Sequence, residues 1–163
     1  MAYATDAHLF IKDINQSHFN VGTRLTLSDF TPDQVGELND RYGSPLADAG
    51  NVRRFYTLLY GHPYLTRRGL SELSNGRLDM AALESHADRS DGVFGDHLRR
   101  LLAALTHNAE LIEIVREMLR GHSRRSEETF YRLQSAGLLT GDTMEESRWH
   151  CPIYASYLKR QLA

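Results

Sequence analysis

Apolar residues recur at helical spacing over much of the chain. One stripe follows the spacing i, i+3, i+4 and i+7, which is typical of a helix with one buried face; its members are Val52, Phe55, Tyr56 and Leu59. It ends at Gly61, and a second stripe runs through Leu65, Gly69 and Leu73 as far as Gly76. The pattern predicts two consecutive amphipathic helices joined by a short break.

The break between these helices has a composition suited to ligand contact. Pro63 stands where a first helical residue is expected, since a proline has no N–H to lose there. Free N–H groups at a helix start favour an anion, and a proline ring offers a dry surface to a planar base. Gly61, His62 and Pro63 are therefore candidate ligand contacts, although a Gly-x-Pro segment between helices is usually only a turn.

Capping signals predict further helices on both sides of this pair. Thr31–Gln34 form a capping box with Pro32 at the first helical position, and Gly43 supplies the stop. Asp79 is placed to cap a short helix that runs through Ala87. The pattern thus changes to helices from Thr31 onward.

The residues before Thr31 have a different pattern. His8–Ile14 and Arg24–Leu27 have the alternating or β-branched character of strands, with polar, turn-prone residues between them. Two strands without further partners are marginal in water. We expect these strands to lean on the helices, to pair with another chain, or to be the remnant of a larger sheet.

The last third of the chain has a characteristic order of elements. Two helical stripes precede a third helix from Ser126 to Gly137, a short strand at 138–140, a polar tip and a return strand at 148–151. A final helix begins at Pro152. Three helices, a hairpin and a closing helix are the order of a winged helix. The sequence therefore predicts a mainly α protein, a helical bundle followed by a winged-helix domain, with a short β segment at the amino terminus.

A winged helix raises the question of DNA binding. The third helix begins with Glu127 and Glu128 and carries Arg132, and Gln134 is its one amide that could read a base. These two carboxylates lie at the end of the helix that would enter a DNA groove, where they would repel the DNA phosphates. Basic residues just before this helix are the best argument for DNA contact; they are Arg120, His122, Arg124 and Arg125. A solvated loop is the more common role for such a segment.

Composition narrows the class of protein. The chain has 163 residues, 41% hydrophobic and 25% charged, which is enough to bury a core in one domain or two small ones. A formal net charge of -2 argues against a broad surface for nucleic acid or anionic lipid. The single cysteine, Cys151, cannot form an internal disulfide. With no apolar run of spanning length and no signal peptide, we expect a cytoplasmic protein without membrane contact.

Catalytic motifs are missing from the sequence. It contains no phosphate-binding loop of the Gly-x-x-x-x-Gly-Lys type, no dinucleotide fingerprint, no zinc-protease motif and no nucleophile elbow. Its 8 histidines are scattered over separate elements, which is not the spacing of a metal site. We expect the chain to have no enzymatic activity and no metal on its own.

The order of motifs resembles the carboxyl-terminal part, lid plus winged helix, of bacterial AAA-like ATPases of the STAND signalling type. The resemblance covers nearly the whole chain, and it is carried by Phe19–Gly22, Leu27–Val35, Gly61–Leu65, Phe130–Leu138 and Cys151–Tyr154. The first two stretches are the most specific. One departure is His18, where family members commonly have proline.

The resemblance implies a domain organisation. Residues 1–30 would be the last strands of a nucleotide-binding core, residues 31–90 the helical lid, and residues 91–163 the winged-helix domain. The Walker motifs are missing from this chain, so the resemblance also implies that the rest of the ATPase core belongs to a longer parent polypeptide. Such a parent would bind ATP or ADP with magnesium, whereas this chain alone would need no cofactor.

The same resemblance implies two nucleotide contacts. The Gly-x-Pro segment of a STAND lid faces adenine, which corresponds to Gly61 and Pro63 here. A histidine at the end of the wing contacts the diphosphate of ADP and holds the resting state closed, and His150 occupies the comparable place. Its neighbours Trp149 and Cys151 differ from the usual Met and Asp flanks, and a packed strand histidine is the alternative.

The expected function is that of a nucleotide-responsive module in a signalling ATPase. We expect protein partners or a homo-oligomer, and no specific DNA site. A free-standing winged-helix DNA-binding regulator and a protein-binding adaptor are the alternatives.

Overall fold

The computed structural model describes residues 28–122 and 126–162 of the chain. The predicted strands His8–Ile14 and Arg24–Leu27 lie outside the described residues, as do Arg124 and Arg125. Within the described ranges the protein is mainly helical, with one two-stranded sheet, so the predicted fold class is confirmed. None of the described helices is long and apolar enough to cross a bilayer.

The first four helices follow one another with short connections. They are α1 (Pro32–Arg41), α2 (Ala49–Leu59), α3 (Pro63–Ser74) and α4 (Met80–His86). The Thr31 hydroxyl and the Gln34 amide form the predicted capping box at the start of α1, and Asp79 caps α4 by accepting from Ala82 N–H. Gly43, with φ 84°, follows the end of α1 as predicted. The local signals for these helices are thus confirmed.

The remaining elements are four helices and a hairpin. They are α5 (Gly95–Thr106), α6 (Ala109–Leu119), α7 (Glu127–Ser135), β1 (Leu139–Thr140), β2 (Arg148–Trp149) and α8 (Pro152–Leu162). The two strands are antiparallel, with Leu139 opposite Trp149 and Thr140 opposite Arg148. The order of helices, hairpin and closing helix is the predicted one.

Both strands are shorter than predicted. The N–H of Leu138 donates to the carbonyl of Leu133 at 3.0 Å and so closes the end of α7 instead of pairing with β2. The return strand ends at Trp149 rather than Cys151, because the carbonyl of Cys151 accepts the N–H of Tyr154 at 3.1 Å at the start of α8. His150 therefore lies in a bend between strand and helix.

The described residues form two compact units. The helical unit comprises residues 28–100 with 150–162, and the hairpin unit comprises residues 101–149 apart from the undescribed 123–125. The predicted domain limits at residues 30 and 90 stay a prediction. In the helical unit α8 packs against α2, and its core is built from large apolar side chains that include Phe55, Leu59, Leu65, Leu70, Phe94, Leu98, Tyr154 and Tyr157.

A buried asparagine fixes the connection between α1 and α2. Asn39 is 4% exposed, and its amide binds both backbone groups of Leu46, receiving the N–H at 2.9 Å and donating to the carbonyl at 3.2 Å. Both backbone groups are thereby satisfied without water. The loop that places α2 beside α1 is thus held by one side chain.

The hairpin unit has its own apolar core. Its fully or nearly fully buried side chains are Leu101, Leu105, Leu111, Val115, Phe130, Leu133, Ala136, Leu138 and Leu139. The amide of Gln134 on α7 donates to the carbonyl of Gly141 at 2.7 Å and so ties the helix to the tip of the hairpin. Arg132 on the same helix pairs with Glu110 of α6 at 3.4 Å.

Candidate functional site

The turn between α2 and α3 has an unusual backbone. Tyr60 and Gly61 both have positive φ, at 48° and 74°. A bulky residue rarely adopts this left-handed conformation, which costs a side-chain-bearing residue about 1–2 kcal/mol. Such local strain persists only where the surrounding structure enforces it, and it clusters at functional sites.

Gly61 is enclosed by the segment that leads into α1. Its carbonyl accepts the N–H of Phe30 at 2.8 Å, and a Cβ at position 61 would overlap the carbonyl oxygen of Phe30. Only glycine therefore satisfies both the backbone angle and the close approach. The turn and the residues before α1 are held together by this contact.

Helix α3 begins at Pro63, as the sequence predicts. His62 is its N-cap, and the ring Nδ1 accepts the N–H of Leu65 at 3.5 Å. Histidine is not among the preferred N-cap residues, so this role could not be predicted from the residue type. His62 and Pro63 are both half-buried, while Tyr64 beside them is 46% exposed.

His150 lies in the same unit as this helix start. Its Nε2 is 2.9 Å from Oδ1 and 2.8 Å from Oδ2 of Asp29. A carboxylate can only accept, so the ring N–H donates to it. The His150 side chain is 18% exposed and that of Asp29 is 36% exposed. The predicted diphosphate contact thus binds an anionic group of the chain itself.

Three imidazoles lie next to one another at the site. The ring centre of His62 is 5.0 Å from that of His150 and 5.6 Å from that of His97. Nε2 of His97 in turn lies 2.8 Å from the hydroxyl of Tyr154 on α8. The structure therefore brings together His62 and His150, which were predicted as parts of one site. It also adds two residues that sequence reasoning missed, His97 and Asp29.

The electrostatics of the site keep His62 neutral. Burial, reinforced by the neighbouring His150 and His97, lowers the pKa of His62 from 6.5 to about 3. His62 therefore supplies a ring and an acceptor near neutral pH, but no positive charge. Burial also raises the pKa of the Cys151 thiol, which keeps this residue protonated and unreactive.

A family model described as an AAA-like domain matches residues 1–160. The chain belongs to the AAA-like domain family. The predicted membership of an AAA-like family is thereby confirmed. No curated protein and no solved structure gives a significant match to the chain.

The AAA-like domain uses two of the predicted nucleic-acid residues for its own structure. Arg132 pairs with Glu110, and Gln134 holds the carbonyl of Gly141. Arg120 is the exposed C-cap of α6, and Arg124 and Arg125 lie outside the described residues. The acidic pair at positions 127 and 128 stands in the first turn of α7, as predicted.

Other candidate sites in the described part of the AAA-like domain are separate from the histidine cluster. Its histidine, cysteine and acidic residues form no group of three that could hold a metal ion. A mainly apolar groove of about 560 Å³ lies between α1 and α2 and is lined by Pro32, Asp33, Gly36, Glu37, Ala49, Val52, Arg53 and Tyr56. None of the predicted nucleotide contacts lines this groove.

Proposed function

We propose that this chain is the nucleotide-responsive lid and winged-helix module of a STAND-type signalling ATPase that works in the cytoplasm, and that it has no catalytic activity alone. Membership of the AAA-like domain family supports the general class. The observation that carries the finer proposal is the position of His150 beside His62, with ring centres 5.0 Å apart in one compact unit. Residues from two distant parts of the chain thus meet at one helix start.

The helix start of α3 suits the base of a nucleotide. Pro63 presents a rigid apolar ring at the first helical position, and the strained Tyr60–Gly61 turn fixes where this ring lies. His62, which is neutral, adds a flat face that carries no charge to repel or attract the base. In this proposal Gly61, His62 and Pro63 contact adenine.

His150 suits the diphosphate. Its Nε2–H already donates to an anionic acceptor, since both oxygens of Asp29 lie within 2.9 Å. Hydrogen bonds from a ring N–H to a charged oxygen are among the stronger ones in proteins. Phosphate oxygens have the same acceptor chemistry as a carboxylate, so the donor fits the proposed ligand.

The remaining chemistry of an ATPase belongs to the parent polypeptide in this proposal. A bound nucleotide requires a backbone cradle for its phosphates, a lysine and magnesium, and magnesium prefers carboxylate and phosphate oxygens. In this proposal the chain supplies the base contact and one phosphate contact, and ATP or ADP with magnesium is a ligand of the full-length ATPase.

The first experiment measures nucleotide binding by the isolated chain. Because the phosphate cradle is missing, calorimetry should find very weak binding of ATP and ADP, and a phosphate-release assay should find no hydrolysis. Micromolar affinity, or turnover above the buffer rate, would show that the chain contains a complete site. It would overturn the proposal that the phosphate-binding residues belong to the rest of the parent polypeptide.

The second experiment uses the full-length parent. Pro63→Ala should weaken ATP and ADP alike, because both carry the same base. His150→Ala should weaken ADP selectively by about 10- to 100-fold, the equivalent of ~1.5–3 kcal/mol for a hydrogen bond to a charged group. The closed population should then fall, and oligomers should form without a stimulus.

The matched control for the parent is His86→Ala, which removes an exposed histidine at the end of α4. It should leave both affinities unchanged. Equal ADP affinity in the His150→Ala and wild-type proteins, with the same oligomeric state, would reduce His150 to a structural residue. The proposal would then keep only the adenine contacts.

Specific DNA binding is not favoured. Two of the residues that would contact DNA, Arg132 and Gln134, are engaged within the hairpin unit, and the start of α7 is acidic. Partner proteins or a second copy of the chain are the expected partners of this module.

A further inference from the structure

The Asp29–His150 pair joins two residues that are 121 positions apart in the sequence. Both carboxylate oxygens lie at hydrogen-bond distance from the same Nε2, at 2.9 and 2.8 Å. The single N–H is thus shared between the two oxygens, and it can donate to another acceptor at this nitrogen only if Asp29 moves. Whatever anion is to bind this nitrogen must compete with Asp29.

Asp29 is anchored by its neighbours on the chain. The next residue, Phe30, donates its N–H to Gly61 at 2.8 Å, and its backbone fills the space that a Cβ of residue 61 would need. Thr31 then caps α1 through the N–H of Gln34 at 3.2 Å. The backbone beside Asp29 is therefore held by the turn before α3 on one side and by the start of α1 on the other.

A carboxylate and a diphosphate cannot share this donor favourably. Both groups are anionic and only accept hydrogen bonds, so placing them on one N–H brings like charges together. Occupation of His150 by one anion therefore requires departure of the other. The exposed position of Asp29, whose side chain is 36% exposed, gives it access to water after release.

We propose that Asp29 competes with the nucleotide diphosphate for the Nε2–H of His150. This proposal rests on the proposed function, because it takes His150 as the diphosphate contact. A diphosphate can bind only those molecules in which Asp29 does not occupy the donor. The apparent affinity for a diphosphate therefore falls in proportion to that fraction.

The first test examines the pair without any ligand. A double-mutant cycle of Asp29→Ala and His150→Ala in this chain, measured by urea unfolding, should give a coupling of about twofold to tenfold in the unfolding equilibrium constant. The range is modest because both side chains are partly exposed. Asp33→Ala removes a nearby exposed carboxylate from the first turn of α1 and should show no coupling with His150→Ala.

The second test adds inorganic pyrophosphate to the same chain and follows backbone amide signals by NMR, which measures millimolar binding. Asp29→Ala should bind pyrophosphate about twofold to tenfold more tightly than the wild-type chain. Asp33→Ala should bind as the wild type does, which controls for the loss of a negative charge. Replacing His150 as well as Asp29 should abolish the gain.

The possible outcomes separate this inference from the proposed function. Absence of coupling between Asp29 and His150, or an Asp29→Ala chain that binds pyrophosphate no better than the wild type, would overturn the competition. Coupling together with a gain that persists without His150 would also overturn it, because the anion would then lie elsewhere. Failure of the proposed function would instead appear as unchanged ADP affinity of His150→Ala in the parent, with the coupling in this chain intact.

Discussion

Phe30 and Gly61 form a backbone contact in which the N–H of Phe30 donates to the carbonyl of Gly61 at 2.8 Å and the Phe30 carbonyl lies against the Gly61 Cα. The contact locks the turn before α3 to the residues before α1. Position 61 requires glycine for two reasons. Its φ is positive, and the backbone of Phe30 leaves no room for a Cβ.

We predict that Gly61→Ala destabilises the protein by at least about 3 kcal/mol. The alanine would pay about 1–2 kcal/mol for its left-handed backbone, and its Cβ would displace the backbone of Phe30. Gly43→Ala is a matched control, because Gly43 has φ 84° but open space around it, and it should cost only about 1–2 kcal/mol. Urea unfolding of both variants checks this, and equal losses would show that the contact with Phe30 is unimportant.

Asn39 provides a second test of how the helical unit is held. Asn39→Ala removes both bonds to the Leu46 backbone and leaves a buried N–H and carbonyl unpaired, so it should cost about 2–4 kcal/mol. Asn75→Ala changes an exposed asparagine at the end of α3 and should stay within about 0.5 kcal/mol of the wild type. A similar midpoint for both variants in urea would contradict the role assigned to Asn39.

A single substitution at Thr66 on α3 should stabilise the folded protein. Its hydroxyl is fully buried and has no hydrogen-bond partner among the described residues. Thr66→Val keeps the shape and removes the unsatisfied oxygen, so the protein should gain about 1 kcal/mol. Thr66→Ser keeps the oxygen and loses a methyl group, and it should lose about 1 kcal/mol. Thermal unfolding distinguishes them, and a destabilised valine variant would show that the hydroxyl has a role in folding.

The pKa of His62 predicts a pH dependence of stability. The unfolded chain takes up a proton near pH 6.5, whereas folded His62 does so only near 3, so the free energy of unfolding should fall as the pH drops from 6.5 towards 3. The contribution of this one group is on the order of a few kcal/mol over the whole window. Acidic residues titrate below about pH 5, so the informative range is 6.5 to 5.

His62→Asn isolates this effect. Asparagine is a good N-cap and has no titration, so the variant should lose less stability than the wild type between pH 6.5 and 5. His97 and His150 are present in both proteins. Urea midpoints at several pH values give the answer, and parallel curves would mean that His62 protonates freely in the folded protein.

Fluorescence anisotropy tests DNA binding by the chain. With a net charge of -2 and Glu127 and Glu128 at the start of α7, we predict at most non-specific binding at physiological salt, lost steeply as salt is raised. Sequence-selective nanomolar binding that disappears on removal of Arg124 and Arg125 would favour a DNA-binding regulator instead.

The sequence predicted those features that depend on neighbouring residues. The capping box at Thr31, the cap at Asp79 and the helix start at Pro63 are each specified within four positions, and the structure confirms all three. The periodic apolar stripes likewise identified Leu59 and Leu65 as buried. Such signals do not require knowledge of how the helices pack.

The parts of the site that were missed depend on packing between distant segments. No local pattern links Asp29 to His150 or His97 to Tyr154, because these pairs form only where segments far apart in the sequence meet in the folded protein. The resemblance to STAND ATPases pointed to Gly61, Pro63 and His150 as nucleotide contacts, but residue spacing alone could not have joined them.

The packing of α8 has a consequence for how the protein is made. The ribosome completes α1 to α4 before it adds residues 152–162, and at about 5–20 residues per second the intervening residues 87–151 take roughly 3–13 seconds to synthesise. During that interval the apolar surface of α2 that α8 later covers is open to solvent and to other nascent chains. A chaperone that shields this surface should therefore raise the yield of folded protein.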